Sequence, residues 1–187
     1  MTANNTACRF DERLNRAISL KKSGNIAAAR AELLATELLA RAEPAPVYAL
    51  GSLAQTWVSL FGSDASEIAY SVLLRCEQHA MTDANMRTTA SELWDCATWY
   101  GIVFGKEAVV DIERCLRGVE SMLRNDSFAL SITARIWLES FEFNPNSAAE
   151  AQRLCELACT VGEHPGDIEF NEETADMIRE VLAGTLR

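Results

Sequence analysis

The chain has 187 residues, 49 % of them apolar, with a formal net charge of −10 and only 9 Gly and 4 Pro. So apolar a composition excludes intrinsic disorder, and scarce helix breakers with abundant Ala and Leu favour long helices over strands. No apolar run approaches the roughly 18 residues needed to cross a bilayer, which sets membrane partners aside.

The charge is unevenly placed. Residues 1–90 hold nine bases and nine acids, and residues 91–187 hold eight bases and eighteen acids. From Leu154 to Ile178 there are seven acids and no Lys or Arg. That half would repel a phosphate backbone, so nucleic acid is not an expected partner. The opposite end is basic, with Arg9, Arg13, Arg16, Lys21 and Lys22 around the first expected helix.

The opening "MTANNTACRF" lacks the apolar stretch of a secretory signal, so the expected location is cytoplasmic. The six cysteines (Cys8, Cys76, Cys96, Cys115, Cys155 and Cys159) contain no CxxC pair and are expected as small buried apolar residues of a reducing compartment.

Four helical hairpins are expected in chain order, at approximately 11–43, 46–80, 83–124 and 127–162, with a capping helix at approximately 172–186. The first helices of hairpins two to four share a pattern. Leu50, Ala54, Trp57 and Phe61 recur as Leu93, Ala97, Tyr100 and Phe104, and again as Leu130, Ala134, Trp137 and Phe141. These offsets fall on one face of a 3.6-residue helix. The small Ala marks a close helix approach, and the aromatic fills the space beside it. The first hairpin carries a weaker copy, Ala17 and Leu20, with Arg13 where a large apolar residue is expected.

Each copy ends in a breaker: Gly24-Asn25, Gly62-Ser63-Asp64, Gly105-Lys106 and Asn144-Pro145-Asn146. Gly supplies the left-handed conformation that stops a helix, and Ser, Asp or Asn caps the next one. An amphipathic second helix follows each time. A period in this range implies stacked units that cannot bury their faces alone. The expected architecture is all-α: antiparallel helical hairpins stacked as a short irregular α-solenoid, one domain over 1–187, with about nine helices.

"SGNIAAARAELLATELLA", with Ala29 and Leu33, resembles the turn and second helix of a tetratricopeptide repeat (TPR). "NSAAEAQRLCELA" fits the same frame with Ala151, Cys155 and Ala158, and Leu50-Ala54-Trp57 with its two copies fits the family's first helix. The resemblance covers most of the chain. The period departs from the family's roughly 34 residues, and the usual closing Pro is absent except for Pro44. The resemblance implies a concave groove, lined by the first helix of each hairpin, that binds a peptide or helix of a partner. On its frame the outward positions are Tyr48, Gln55, Trp94, Thr98, Phe128, Arg135 and Glu139. The family's Lys/Asn clamp for a C-terminal carboxylate is missing from the matched positions.

Catalytic chemistry needs a nucleophile, a base and an orienting group together, and no such set is visible. His79 ends a helix and His164 lies in the "EHPGD" turn. Cys155 and Cys159 stand one helical turn apart, without further ligands at zinc spacing. Glu172, Glu173 and Asp176 read as acids complementing a helix N-terminus rather than as a metal site. No metal, cofactor or enzymatic activity is therefore expected. The helix around "WDCATWYGIVF" is apolar nearly all round, and Trp94, off the repeat face, is the aromatic expected to meet a partner.

Three functions fit these features. The first is a non-catalytic adaptor holding a peptide or helix of another protein. The second is a toxin-neutralising immunity protein or secretion chaperone, meeting a basic partner with Glu163, Asp167, Glu169, Glu172, Glu173 and Asp176. The least favoured is a small helical enzyme. Weak head-to-tail homo-oligomerisation between the basic and acidic ends is a side expectation.

Overall fold

The computed structural model describes residues 3–42, 45–82, 85–141, 145–161 and 165–184, with backbone alone for 3–7, 145 and 165–171. The protein is all-α, with no strand among the described residues. The helices are α1 (Ala3–Lys22), α2 (Ile26–Ala42), α3 (Val47–Phe61), α4 (Ser66–Ala80), α5 (Met86–Phe104), α6 (Val109–Leu123), α7 (Ser127–Ser140), α8 (Pro145–Val161) and α9 (Pro165–Leu182). Short 3-10 turns, Gly62–Ala65 and Gly105–Ala108, join α3 to α4 and α5 to α6. No helix among the described residues is long and apolar enough to cross a membrane. The chain, expected as one repeat domain, packs as two compact units, Met1–Met81 and Thr82–Arg187.

The helix ends follow from local chemistry. Gly24, Gly62 and Gly105 all have positive φ. Gly62, at φ 60 and ψ −144, sits in a region that side chains with a Cβ avoid. Asn25 Oδ1 accepts from Ala28 N at 3.2 Å, Asn85 Oδ1 from Arg87 N at 3.0 Å and Asp126 Oδ1 from Ala129 N at 3.0 Å, which satisfies helix donors that lack intrahelical partners. Ser63 and Asp64 do not cap α4; the 3-10 turn carries the chain into it instead. α9 begins at Pro165, ahead of the expected 172. Proline is well placed there because its missing N–H lies in the unpaired first turn.

In the first unit α1 packs on α2 and α3 on α4, and α3 also rests on α1 and α2. The core is Phe10, Leu14, Ala17, Ala29, Leu33, Leu53, Ala54 and Trp57. Arg13, the departure from the apolar pattern, donates to Glu32 Oε1 of α2 at 2.9 Å, so an ion pair stands where the repeat has a side-chain contact. Phe61 lies under two cations, Lys21 Nζ at 4.7 Å and Arg30 at 5.3 Å from the ring centre, and so takes up part of the basic end.

The second unit repeats the scheme. α5 packs on α6 and α7 on α8, α7 touches both α5 and α6, and α9 closes on α7 and α8. The repeat faces are core: Leu93, Ala97 and Tyr100, then Leu130, Ala134 and Trp137, are buried. Gly118 of α6 lets α5 come close; a Cβ there would stand 3.3 Å from Leu93 Cδ1. Four cysteines are buried, but Cys8 and Cys159 are exposed. This corrects the expectation for those two: Cys159 lies off the α8 face that buries Leu154, Cys155 and Ala158.

Candidate functional site

In the second unit, the C-terminal halves of α5 and α7 and the 3-10 turn after α5 enclose a hollow of about 720 Å³. Ile102, Val109, Ile136 and Phe141 supply its apolar surface, and Thr98, Lys106 and Glu139 its polar groups. The volume lies within the range of ligand-binding clefts. Two features open it. Ile102 is 52 % exposed, although the same helix buries Leu93, Ala97 and Tyr100 completely or nearly so. Gly105, the helix stop, adds no side chain to the wall, and a Cβ there would meet nothing within 4 Å.

Thr98 and Glu139, two of the expected outward residues, are brought together at this hollow. Arg135 adjoins them: its Nε donates to Glu139 Oε1 at 2.9 Å, one turn along α7. Phe128 is exposed at the other end of α7. Trp94 is half-buried on α5, and its indole N–H donates to Thr133 Oγ1 of α7 at 3.0 Å. Thr133 in turn donates to Ala129 O at 2.7 Å, so Trp94 ties α5 to α7. Tyr48 and Gln55 are exposed on α3 of the first unit, and each set belongs to its own unit. Of the expected acidic surface, Glu172, Glu173 and Asp176 are exposed on α9. Glu163 lies outside the described residues, as does His164, and Asp167 and Glu169 are described by backbone alone.

The sequence reasoning missed Ile102 and Ile136, although a signal was present. Ile102 stands four residues after Thr98, and Ile136 three before Glu139, each on the same helix face as a residue already placed outward.

A comparison of the chain with protein-family models, curated proteins and solved structures finds no match.

The second helices meet through charge. Arg117 of α6 grips Glu150 of α8 with both terminal nitrogens, at 3.1 and 2.8 Å. Arg153 of α8 grips Glu120 of α6 at 2.8 and 2.7 Å. Within the helices, Arg117 also reaches Glu120 at 3.2 Å and Arg153 reaches Glu150 at 2.9 Å. The four groups form a closed square. The hydrogen bond from Arg153 pulls the Glu120 carboxyl below its usual range, and that from Arg117 does the same to Glu150. The Arg117 guanidinium also lies 5.2 Å from the Trp137 ring centre, over the core. In the first unit a simpler version joins α2 to α4: Glu37 accepts from Arg75 at 3.1 Å and from Arg41 at 2.7 Å.

Cys155 is buried, and burial pushes its thiol up to about 11, which suits packing rather than nucleophilic or metal chemistry. Among the described residues no group of three His, Cys, Asp or Glu side chains is placed to hold a metal ion.

Proposed function

We propose that the protein is a non-catalytic, TPR-like interaction module that holds a peptide or helix of another protein on the first helices of its hairpins. The observation that carries this reading is the half-exposed Ile102 in an apolar hollow built by two successive first helices, α5 and α7. Buried small and aromatic residues bring those helices close. Long Arg–Glu forks join the second helices α6 and α8. Successive first helices near one another, with second helices held by longer side chains, suit a short α-solenoid whose groove lies on the first-helix side. Apolar contact in the groove supplies affinity, and its polar edge supplies orientation. A cytoplasmic setting belongs to the same reading.

The test places a photo-crosslinking amino acid at Ile102, at Ile136 and, as a control, at Leu34, an exposed leucine of α2, each in the full chain. Exposure to cell extract should join one polypeptide to positions 102 and 136 and not to 34. The same products from all three positions, or none from 102 and 136, would refute the reading.

A further inference from the structure

The edge of the hollow carries a shared cation. Arg135 stands between two carboxylates from two helices: Glu139 Oε1 of α7 at 2.9 Å from its Nε, and Glu173 Oε2 of α9 at 3.8 Å from its Nη1. One guanidinium thus serves two acids, both well exposed at 49 % and 63 %. Glu172 on α9 and Glu107 on the 3-10 turn are exposed too. Of the described residues, Lys106 and Glu139 line the hollow, and Arg135 and Glu173 adjoin Glu139.

Elsewhere among the described residues of this unit, Arg87 is held by Asp126, Arg114 by Asp111, Arg179 by Asp176, and Arg117 and Arg153 by Glu120 and Glu150, while exposed Arg124 lines a separate hollow between α6 and α8. Residues 82–187 carry nine bases and nineteen acids, so they hold the whole net charge of the chain. The hollow therefore opens within a strongly negative unit, beside exposed Ile102 and Val109.

We propose that the occupant of the hollow is a cationic segment of another polypeptide. Its apolar side chains contact Ile102, Val109 and Ile136, and a Lys or Arg one to two turns away meets Glu139 and Glu173. This rests on the groove reading above and adds the partner's chemistry. The apolar contact supplies hold. The carboxylates speed encounter and reject acidic competitors, because like charges at that edge would go unscreened at separations within about 8 Å, the screening length at physiological salt.

The probe is a displayed library of random 16-residue peptides, panned against the full chain. The recovered peptides are then titrated against the parent protein, Ile102→Ser, Ile136→Ser and the double variant Glu139→Gln/Glu173→Gln, with each fold checked by circular dichroism. The expected peptides are rich in Lys and Arg, with apolar residues three or four apart. They should bind about tenfold more weakly to either Ile variant and about two- to tenfold more weakly to the double Gln variant. Added salt should weaken parent binding more steeply than binding to the Gln variant. Neutral or acidic peptides that still depend on Ile102 and Ile136 would overturn the cationic partner and leave the groove reading standing. Cationic peptides indifferent to both Ile variants would show general attraction to an acidic protein and overturn both. Recovery of no peptide would do the same.

Discussion

Replacing Glu150 by Gln tests whether the Arg–Glu square holds α8 to α6. The change removes the fork from Arg117 and weakens the lateral bond from Arg153, while Glu120 keeps its own fork. The side chains of the four members are between 20 and 42 % exposed, so each contact is discounted for solvent. A bidentate fork at this exposure contributes about 0.5–1 kcal/mol, and a lateral pair within a helix about 0.3–0.5 kcal/mol. The expected loss is about 0.8–1.5 kcal/mol, or roughly 3–10 °C in midpoint for a unit of this size. The assay is urea unfolding followed by tryptophan fluorescence in a Trp57→Phe background. That leaves Trp94, Trp99 and Trp137, all in the second unit, as reporters. The pH dependence gives a second check. Glu120 and Glu150 titrate below the usual 4.5 in the fold, so their stabilisation is fully present above that value. It is lost as pH falls through the lowered values. The gap between parent and variant should narrow as pH falls below 4.5 and close once the carboxyls are protonated. A gap under ~0.3 kcal/mol at neutral pH and low salt would show a solvated pair of no consequence. An undiminished gap in acid would show that the Glu150→Gln change acts through packing rather than charge.

The other expectations concern packing, turns and thiols. Gly118→Val should cost about 1–3 kcal/mol in thermal unfolding, because even the first added carbon presses on Leu93 at 3.3 Å; a neutral result would show that α6 shifts freely. Gly105→Ala should cost about 1–3 kcal/mol, since φ is 56 and ψ −130 at that helix stop, while leaving the space around it unfilled. Trp57→Phe should cost little. It trades lost volume against removal of an indole N–H that has no acceptor among the described residues, and a loss above ~3 kcal/mol would mean volume dominates. An aromatic disulfide reagent should react promptly with Cys8 and Cys159 in the native chain and with the buried four only after denaturation. Prompt reaction of Cys155 would contradict its burial.

What was legible depended on whether a residue's job is local. Gly24, Gly62 and Gly105 announced helix stops because few other residues accept their backbone angles. Leu50, Leu93 and Leu130, with the Ala and aromatic that follow each, announced buried faces because only one side of a helix satisfies offsets of four and seven. The Arg–Glu square was readable in principle and went unseen. Arg117-x-x-Glu120 on one second helix answers Glu150-x-x-Arg153 on the next at a constant separation of 33 residues, the register that parallel helices require. Trp94 is half-buried for a different reason. On a helix apolar nearly all round, the residue left exposed is chosen by the neighbour, and α7 offers Trp94 a hydroxyl at Thr133. An indole with an acceptor in reach turns inward, because burying it then leaves no donor unpaired. Ile102 has only apolar surface to offer and lines the hollow shared with Ile136 and Phe141, where it remains half-exposed. The exposure of Ile102 is thus defined by what its neighbour lacks, and that information sits in residues 127–140, not in the helix that carries it.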